Sequence, residues 1–141
     1  YLEYAKILNV MGKPDEAIAH MDELVSENKN NFDAYTLKTD ILINNGRIEE
    51  AEKHVDALVE DFGNYTETQE MQLKVARCKG EYDKVMLLGD TLMANYAATP
   101  ETYRQMALMF IDKGDYQSAF TYADNGYTSA YTQNESESAG I

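Results

Sequence analysis

One cysteine, Cys78, and two histidines, His20 and His54, are the side chains best suited to nucleophilic or metal chemistry in this sequence. A single cysteine permits no intrachain disulfide and no paired-cysteine zinc site. The histidines stand 34 residues apart, and if neighbouring helical layers lie about 10 Å apart the two rings are too distant to share a metal. The sequence also contains no phosphate-binding glycine loop and no nucleophile elbow. We therefore predict no catalytic residue, no metal site and no cofactor.

Acidic residues dominate the charge, with 25 Asp and Glu against 12 Lys and Arg, which gives a net charge of −13. Such a field repels phosphate backbones and anionic lipid, so we expect neither nucleic-acid binding nor direct membrane contact. Basic or neutral partners are favoured, although a net charge that only maintains solubility explains the composition as well. Four aspartates recur at one spacing and are interpreted as a solvated outer face: Asp22, Asp56, Asp90 and Asp124.

Glycines define the elements that must position these side chains. Gly12, Gly46, Gly80 and Gly114 follow one another at intervals of 34 residues, which predicts an internal repeat. Apolar residues at helical spacing precede and follow each glycine, as in Tyr103/Met106/Phe110 and Ala51/Val55/Leu58. A glycine between two amphipathic helices can adopt the left-handed conformation that ends the first helix. Each unit is thus predicted to be a helical hairpin that buries its apolar face by stacking on its neighbours.

The 34-residue period, the turn glycine, the small residues where helices cross and the aromatic residue near the start of the first helix resemble the tetratricopeptide repeat (TPR) family. The resemblance implies an all-α, right-handed superhelical α-solenoid of about four helix-turn-helix repeats. It predicts a repeat domain over residues 1–131, divided at about 1–31, 32–65, 66–99 and 100–131, and a polar C-terminal tail over 132–141.

The third repeat departs most from the family pattern. It has Gln69 where the other repeats have Tyr1, Tyr35 or Tyr103, and Leu73 at the position of a small residue. Usually apolar positions are also occupied by Lys38, Gln72, Gly89 and Gly126. We expect the third repeat to be the least secure element.

By resemblance, the first helices line a concave groove that binds peptides. The residues that this register places in the groove are Lys6, Asn9, Asp40, Asn44, Lys74, Arg77 and Arg104. Three of them, Lys74, Arg77 and Arg104, would form a basic spot able to hold a carboxylate. The favoured alternative is that these cations are already paired, with Glu70, Asp40 and Glu101 as neighbours.

The predicted function is a non-catalytic scaffold that binds a peptide or partner protein through the groove. The alternative is an accessory repeat segment of a larger enzyme or envelope-anchored protein, serving domain spacing or self-association. Because the chain begins within a repeat, we expect it to be a segment of something longer. A homo-oligomer is compatible with either interpretation, and the lone cysteine favours a reducing compartment such as the cytoplasm.

Overall fold

The computed structural model describes residues 2–138, with side chains through residue 128. Tyr1, which the sequence predicts as the aromatic residue of the first repeat, lies outside the described residues. The described part is all-α, as predicted, and contains no strand. Its eight helices are α1 Leu2–Val10, α2 Pro14–Glu27, α3 Phe32–Asn44, α4 Ile48–Phe62, α5 Thr66–Cys78, α6 Tyr82–Ala94, α7 Pro100–Asp112 and α8 Tyr116–Ser138.

The four repeat glycines lie in the tight turns between the helices of each pair, and all have the predicted left-handed backbone. Their φ angles are +79° at Gly12, +75° at Gly46, +74° at Gly80 and +78° at Gly114. At the third turn the Glu81 N–H donates to the Ala76 carbonyl over 2.9 Å and so closes the end of α5. The prediction of four equivalent turns is therefore confirmed.

Helix starts follow local sequence signals where these are present. Pro14 occupies the first turn of α2, where its missing N–H is not required. Thr99 caps α7 in a capping box with Thr102, and Pro100 follows it at the first helical position. These features fix where the helices begin and hence the register of their faces.

The chain forms two compact units, Tyr1–Met71 and Gln72–Ile141. In the first unit α3 packs on α1 and α2. The core of this unit consists of Ala5, Leu8, Ala17, Met21, Ala34 and Ile41. Lys38, a departure from the family pattern, donates to Asp22 over 2.8 Å and thereby joins α3 to α2 through an ion pair.

The second unit has its own core, formed by Leu73, Ala76, Val85, Leu92, Met106 and Met109. Two glycines permit close packing there. A Cβ on Gly89 would overlap the Met106 thioether, and a Cβ on Gly126 would lie 2.8 Å from the Cβ of Tyr103. The two departures from the family pattern in this unit are thus compensated by large side chains from α7. The helices of the third repeat, α5 and α6, are both formed.

The last helix is the longest of those described. It begins at Tyr116 and continues to Ser138, past the predicted start of the tail at residue 132. Residues 139–141 and the side chain of Tyr131 lie outside the described part. Tyr122 stacks on Phe110 with ring centroids 5.2 Å apart, whereas Tyr116 and Tyr127 are exposed. None of the described helices is both long and apolar enough to cross a bilayer.

Candidate functional site

The predicted groove residues of the first unit lie on α1 and α3. Lys6 is exposed and its Nζ lies 3.1 Å from the Glu3 carboxylate one turn earlier. Asn9 accepts a 3.0 Å hydrogen bond from the side-chain amide of Asn45, which follows α3. Asp40 is half-buried and Asn44 is exposed. The first helices of this unit therefore carry a row of polar side chains, with the two of α1 already in contact with protein groups.

In the second unit Lys74 and Arg104 share one carboxylate. Lys74 is nearly buried, and its Nζ lies 3.8 Å from Glu101 Oε1. Arg104 is more exposed and donates to the same oxygen over 3.1 Å. Gln105 also donates to that oxygen, over 2.8 Å. Glu101 is thus surrounded by donors from α5 and α7, and the pairing of Arg104 with Glu101 that the sequence favoured is present.

Arg77 is held between two α7 side chains. Its Nε donates to Gln105 Oε1 over 2.7 Å, and its Nη1 lies 3.2 Å from Asp112 Oδ2. The guanidinium N–H groups that could bind a carboxylate of a partner are therefore already directed at protein acceptors. The second unit therefore brings the three predicted cations together with Glu101 and Asp112, and a partner carboxylate would have to compete with both. Sequence reasoning missed Gln105 and Asp112, although both lie at helical spacing from Glu101.

An open, mostly apolar cleft lies between α7 and α8, and it was not predicted. We refer to it as the α7–α8 cleft; it has a volume of about 430 Å³ and is lined by Pro100, Arg104, Ala107, Leu108, Ile111, Ala123, Gly126 and Tyr127. The sequence contains a signal for this cleft. Leu108 and Ile111 lie 34 residues after Lys74 and Arg77, so the fourth repeat has apolar residues at two predicted groove positions.

The side chains considered for chemistry lie in ordinary structural environments. Burial raises the pKa of the Cys78 thiol, and Arg77 only partly opposes this shift, so the reactive thiolate is disfavoured. Burial lowers the pKa of His54, whose Nε2 lies 3.2 Å from the Tyr35 carbonyl oxygen. His20 contacts the Tyr4 ring edge-on at 5.0 Å. Both histidines are half-buried against tyrosines.

Acidic groups likewise form no metal centre that the structure describes. The column Asp22, Asp56, Asp90 and Asp124 is exposed at all four positions. Over residues 2–128 no group of three or more His, Cys, Asp or Glu side chains is arranged to hold a metal ion. The candidate binding regions of the described surface are therefore the polar side chains of the first helices and the apolar α7–α8 cleft.

Comparison with known families tests whether the 34-residue spacing of the glycines reflects a true repeat. Residues 11–77 match the model of the tetratricopeptide repeat. Over this segment the chain is similar to tetratricopeptide repeats. The matched TPR segment runs from the first turn glycine to the end of α5, so it includes the turns at Gly12 and Gly46. The predicted family is confirmed by this match, and with it the helical-repeat fold class. No curated protein matches the chain.

TPR repeats generally mediate protein–protein interaction, and the fold typically serves as a non-catalytic scaffold.

Proposed function

We propose that this TPR chain is a non-catalytic interaction scaffold whose first helices bind a peptide segment of a partner protein. The observation that carries the proposal is the row of polar side chains on α1 and α3, of which α3 lies within the segment matched to the TPR model. The proposed contact residues of this unit are Lys6, Asn9, Asp40 and Asn44. Lys74, Arg77 and Arg104 are the proposed contacts of the second unit.

Asparagine suits the recognition of an extended peptide because its carboxamide both donates and accepts hydrogen bonds. Asn44 is exposed, so its side chain is accessible to a peptide backbone without rearrangement of the fold. Such contacts are independent of the partner's side chains, so specificity would depend on neighbouring charges. The net charge of −13 favours a neutral or basic peptide.

Ion pairing in the second unit bears on the choice of partner. Lys74 and Arg77 are engaged by Glu101 and Asp112, so these cations offer little to an acidic peptide. Arg104 differs because its side chain is mostly exposed. A guanidinium has five N–H donors, and Arg104 can therefore contact a partner while it remains paired with Glu101. We propose Arg104 as the principal contact of this unit.

Random peptides displayed on phage, selected on the whole chain and then measured by calorimetry as synthetic peptides, test the proposal. Asn44→Ala should weaken binding by about 0.5 to 1.5 kcal/mol, the usual net value of one hydrogen bond. Asn95→Ala, the same change at an exposed position that ends a second helix, should leave the affinity unchanged. Selected peptides that bind equally well to Lys6→Ala, Asn44→Ala and Arg104→Ala would place the binding surface elsewhere and refute the proposal.

The alternative function, an accessory segment that spaces domains or self-associates, is favoured by a different observation. Apolar side chains are exposed on α1 and on the α7–α8 pair. Failure to select any peptide would favour this alternative over groove binding.

A further inference from the structure

The first helix exposes a residue whose repeat equivalents are buried. Ile7, Ile41, Val75 and Met109 stand at successive 34-residue intervals on α1, α3, α5 and α7. Their exposures are 57%, 2%, 4% and 0%. Ile41 is buried because α3 packs on the α1–α2 hairpin. Ile7 therefore belongs to a surface that, in the later first helices, is covered by protein.

The α7–α8 cleft is the counterpart of a surface that is covered in the first unit. Ala107 and Ala123 of the cleft are the repeat equivalents of Ala5 and Met21. In the first unit Ala5 and Met21 form a core with Ile41 of α3 and are fully buried. Of these two positions on the α7–α8 hairpin, Ala123 is exposed, whereas Ala107 is buried at the floor of the cleft. The cleft has the register of a docking site for one more first helix.

The residues at the edge of the exposed α1 surface and at the edge of the α7–α8 cleft are both apolar. Within each unit, the corresponding contact between first-helix ends is polar: Asn45 donates to Asn9, and Arg77 pairs with Asp112 over 3.2 Å. The repeat equivalent of both Asn9 and Arg77 is Ile111.

On α1 and its turn, the equivalents of Asp112 and Asn45 are Val10 and Met11. Ile111, Val10 and Met11 are 46%, 87% and 61% exposed. Polar pairs within the chain are therefore replaced by apolar residues at both of its open surfaces.

We propose that the chain self-associates head to tail, with α1 of one copy docked in the α7–α8 cleft of the next. Ile7 would enter the cleft, and Val10 and Met11 would pack against Ile111 of the other copy. This interface includes Arg104, which lines the cleft and is also a proposed peptide contact, but self-association is measured on the chain without peptide and so does not depend on peptide binding. Because the two surfaces differ, the contact is heterologous and adds copies in series instead of closing a symmetric dimer.

Electrostatics set the conditions under which the contact forms. Each copy carries a net charge of −13, so copies repel one another and added salt strengthens the association. Glu3 opposes docking directly, because its repeat equivalents are the apolar Leu37 and Met71 and the neutral Gln105. Glu3→Leu should therefore strengthen self-association. Glu60→Leu, which removes an exposed acid from the α4 surface, should have a smaller effect.

Sedimentation velocity of the whole chain over a range of concentrations tests the proposal. The wild type should form dimers and longer series as the concentration and the salt rise. Ile7→Asp and Ile111→Asp should each remain monomeric. Leu87→Asp, which places the same charge at an exposed apolar position on α6, should associate like the wild type.

A mixture of the two defective variants gives the decisive result. Ile7→Asp retains an intact cleft and Ile111→Asp retains an intact α1, so together they should form dimers and nothing longer. Circular dichroism must show native helix content in each variant, and Val10→Asp replaces Ile7→Asp if that protein is unfolded. A wild type that stays monomeric, a mixture that stays monomeric, or a dimer that survives Ile7→Asp would each overturn the proposal.

Discussion

Replacement of Gly80 measures directly how much the left-handed turns contribute to stability. Gly80 has φ +74°, and no atom lies within 4 Å of the position that a Cβ would occupy. A new side chain there therefore meets no steric obstacle beyond its own backbone. The cost of Gly80→Ala is conformational and isolates the strain of the turn.

The magnitude follows from two opposing effects. A left-handed conformation costs an L-residue about 1 to 2 kcal/mol. Loss of glycine also restricts the unfolded chain, which stabilises the folded state by about 0.4 to 1 kcal/mol. We expect Gly80→Ala to lower the free energy of unfolding by about 1 kcal/mol. Gly80→Val should cost more, because a β-branched side chain fits this conformation less well.

Thermal and urea unfolding followed by circular dichroism provide the assay. A loss of 1 kcal/mol corresponds to a fall in Tm of about 2 to 4 °C for a chain approaching 150 residues. Gly80→Asn is the matched control, because asparagine tolerates the left-handed region and should cost less than alanine. An unchanged Tm for both Gly80→Ala and Gly80→Val would show that the turn does not require a left-handed residue and would refute the reasoning.

Two further predictions concern close packing and pH. Gly126→Ala should destabilise the chain by about 1 to 3 kcal/mol, because the new Cβ meets the Cβ of Tyr103, which no side-chain rotation can move. Urea unfolding measures this change, and a more stable variant would contradict the prediction. Burial holds the pKa of His54 below its ordinary value of 6.5, so the unfolded chain binds this proton first and stability falls as pH drops below about 6.5. His54→Gln should flatten this part of the Tm profile, whereas Lys53→Gln should retain it; equal slopes would refute the assignment.

Periodic features were predictable from sequence because each depends on residues close together in the chain. A glycine that ends a helix needs only the helix before it, so the 34-residue spacing predicted four equivalent turns. Thr99 and Pro100 are local signals of the same kind, because they mark the start of α7. Local signals therefore account for the order of the helices.

Contacts in which a side chain of one helix fills or neutralises a position on another helix could not be predicted in the same way. Gly89 appeared as a defect in the apolar pattern, yet Met106 from α7 fills the space above it. Pairing of Lys74 was the favoured alternative, but its contact with Glu101 on another helix was not predicted, because the sequence placed Glu101 beside Arg104. Such contacts join residues far apart in sequence, and a single chain carries no record of which distant side chain completes a position. The polar groove itself stays a prediction for this reason.

Arg47 illustrates how one position can serve a neighbouring hairpin. It stands at the N-cap of α4 without capping that helix, and its guanidinium contacts Asp15 on α2 over 2.6 Å as well as Glu50. Serine or aspartate there would improve the helix start but remove the connection to α2. The residue at this point thus links α2 to α4 through an exposed ion pair, and high ionic strength should weaken that link because the carboxylate of Asp15 is exposed.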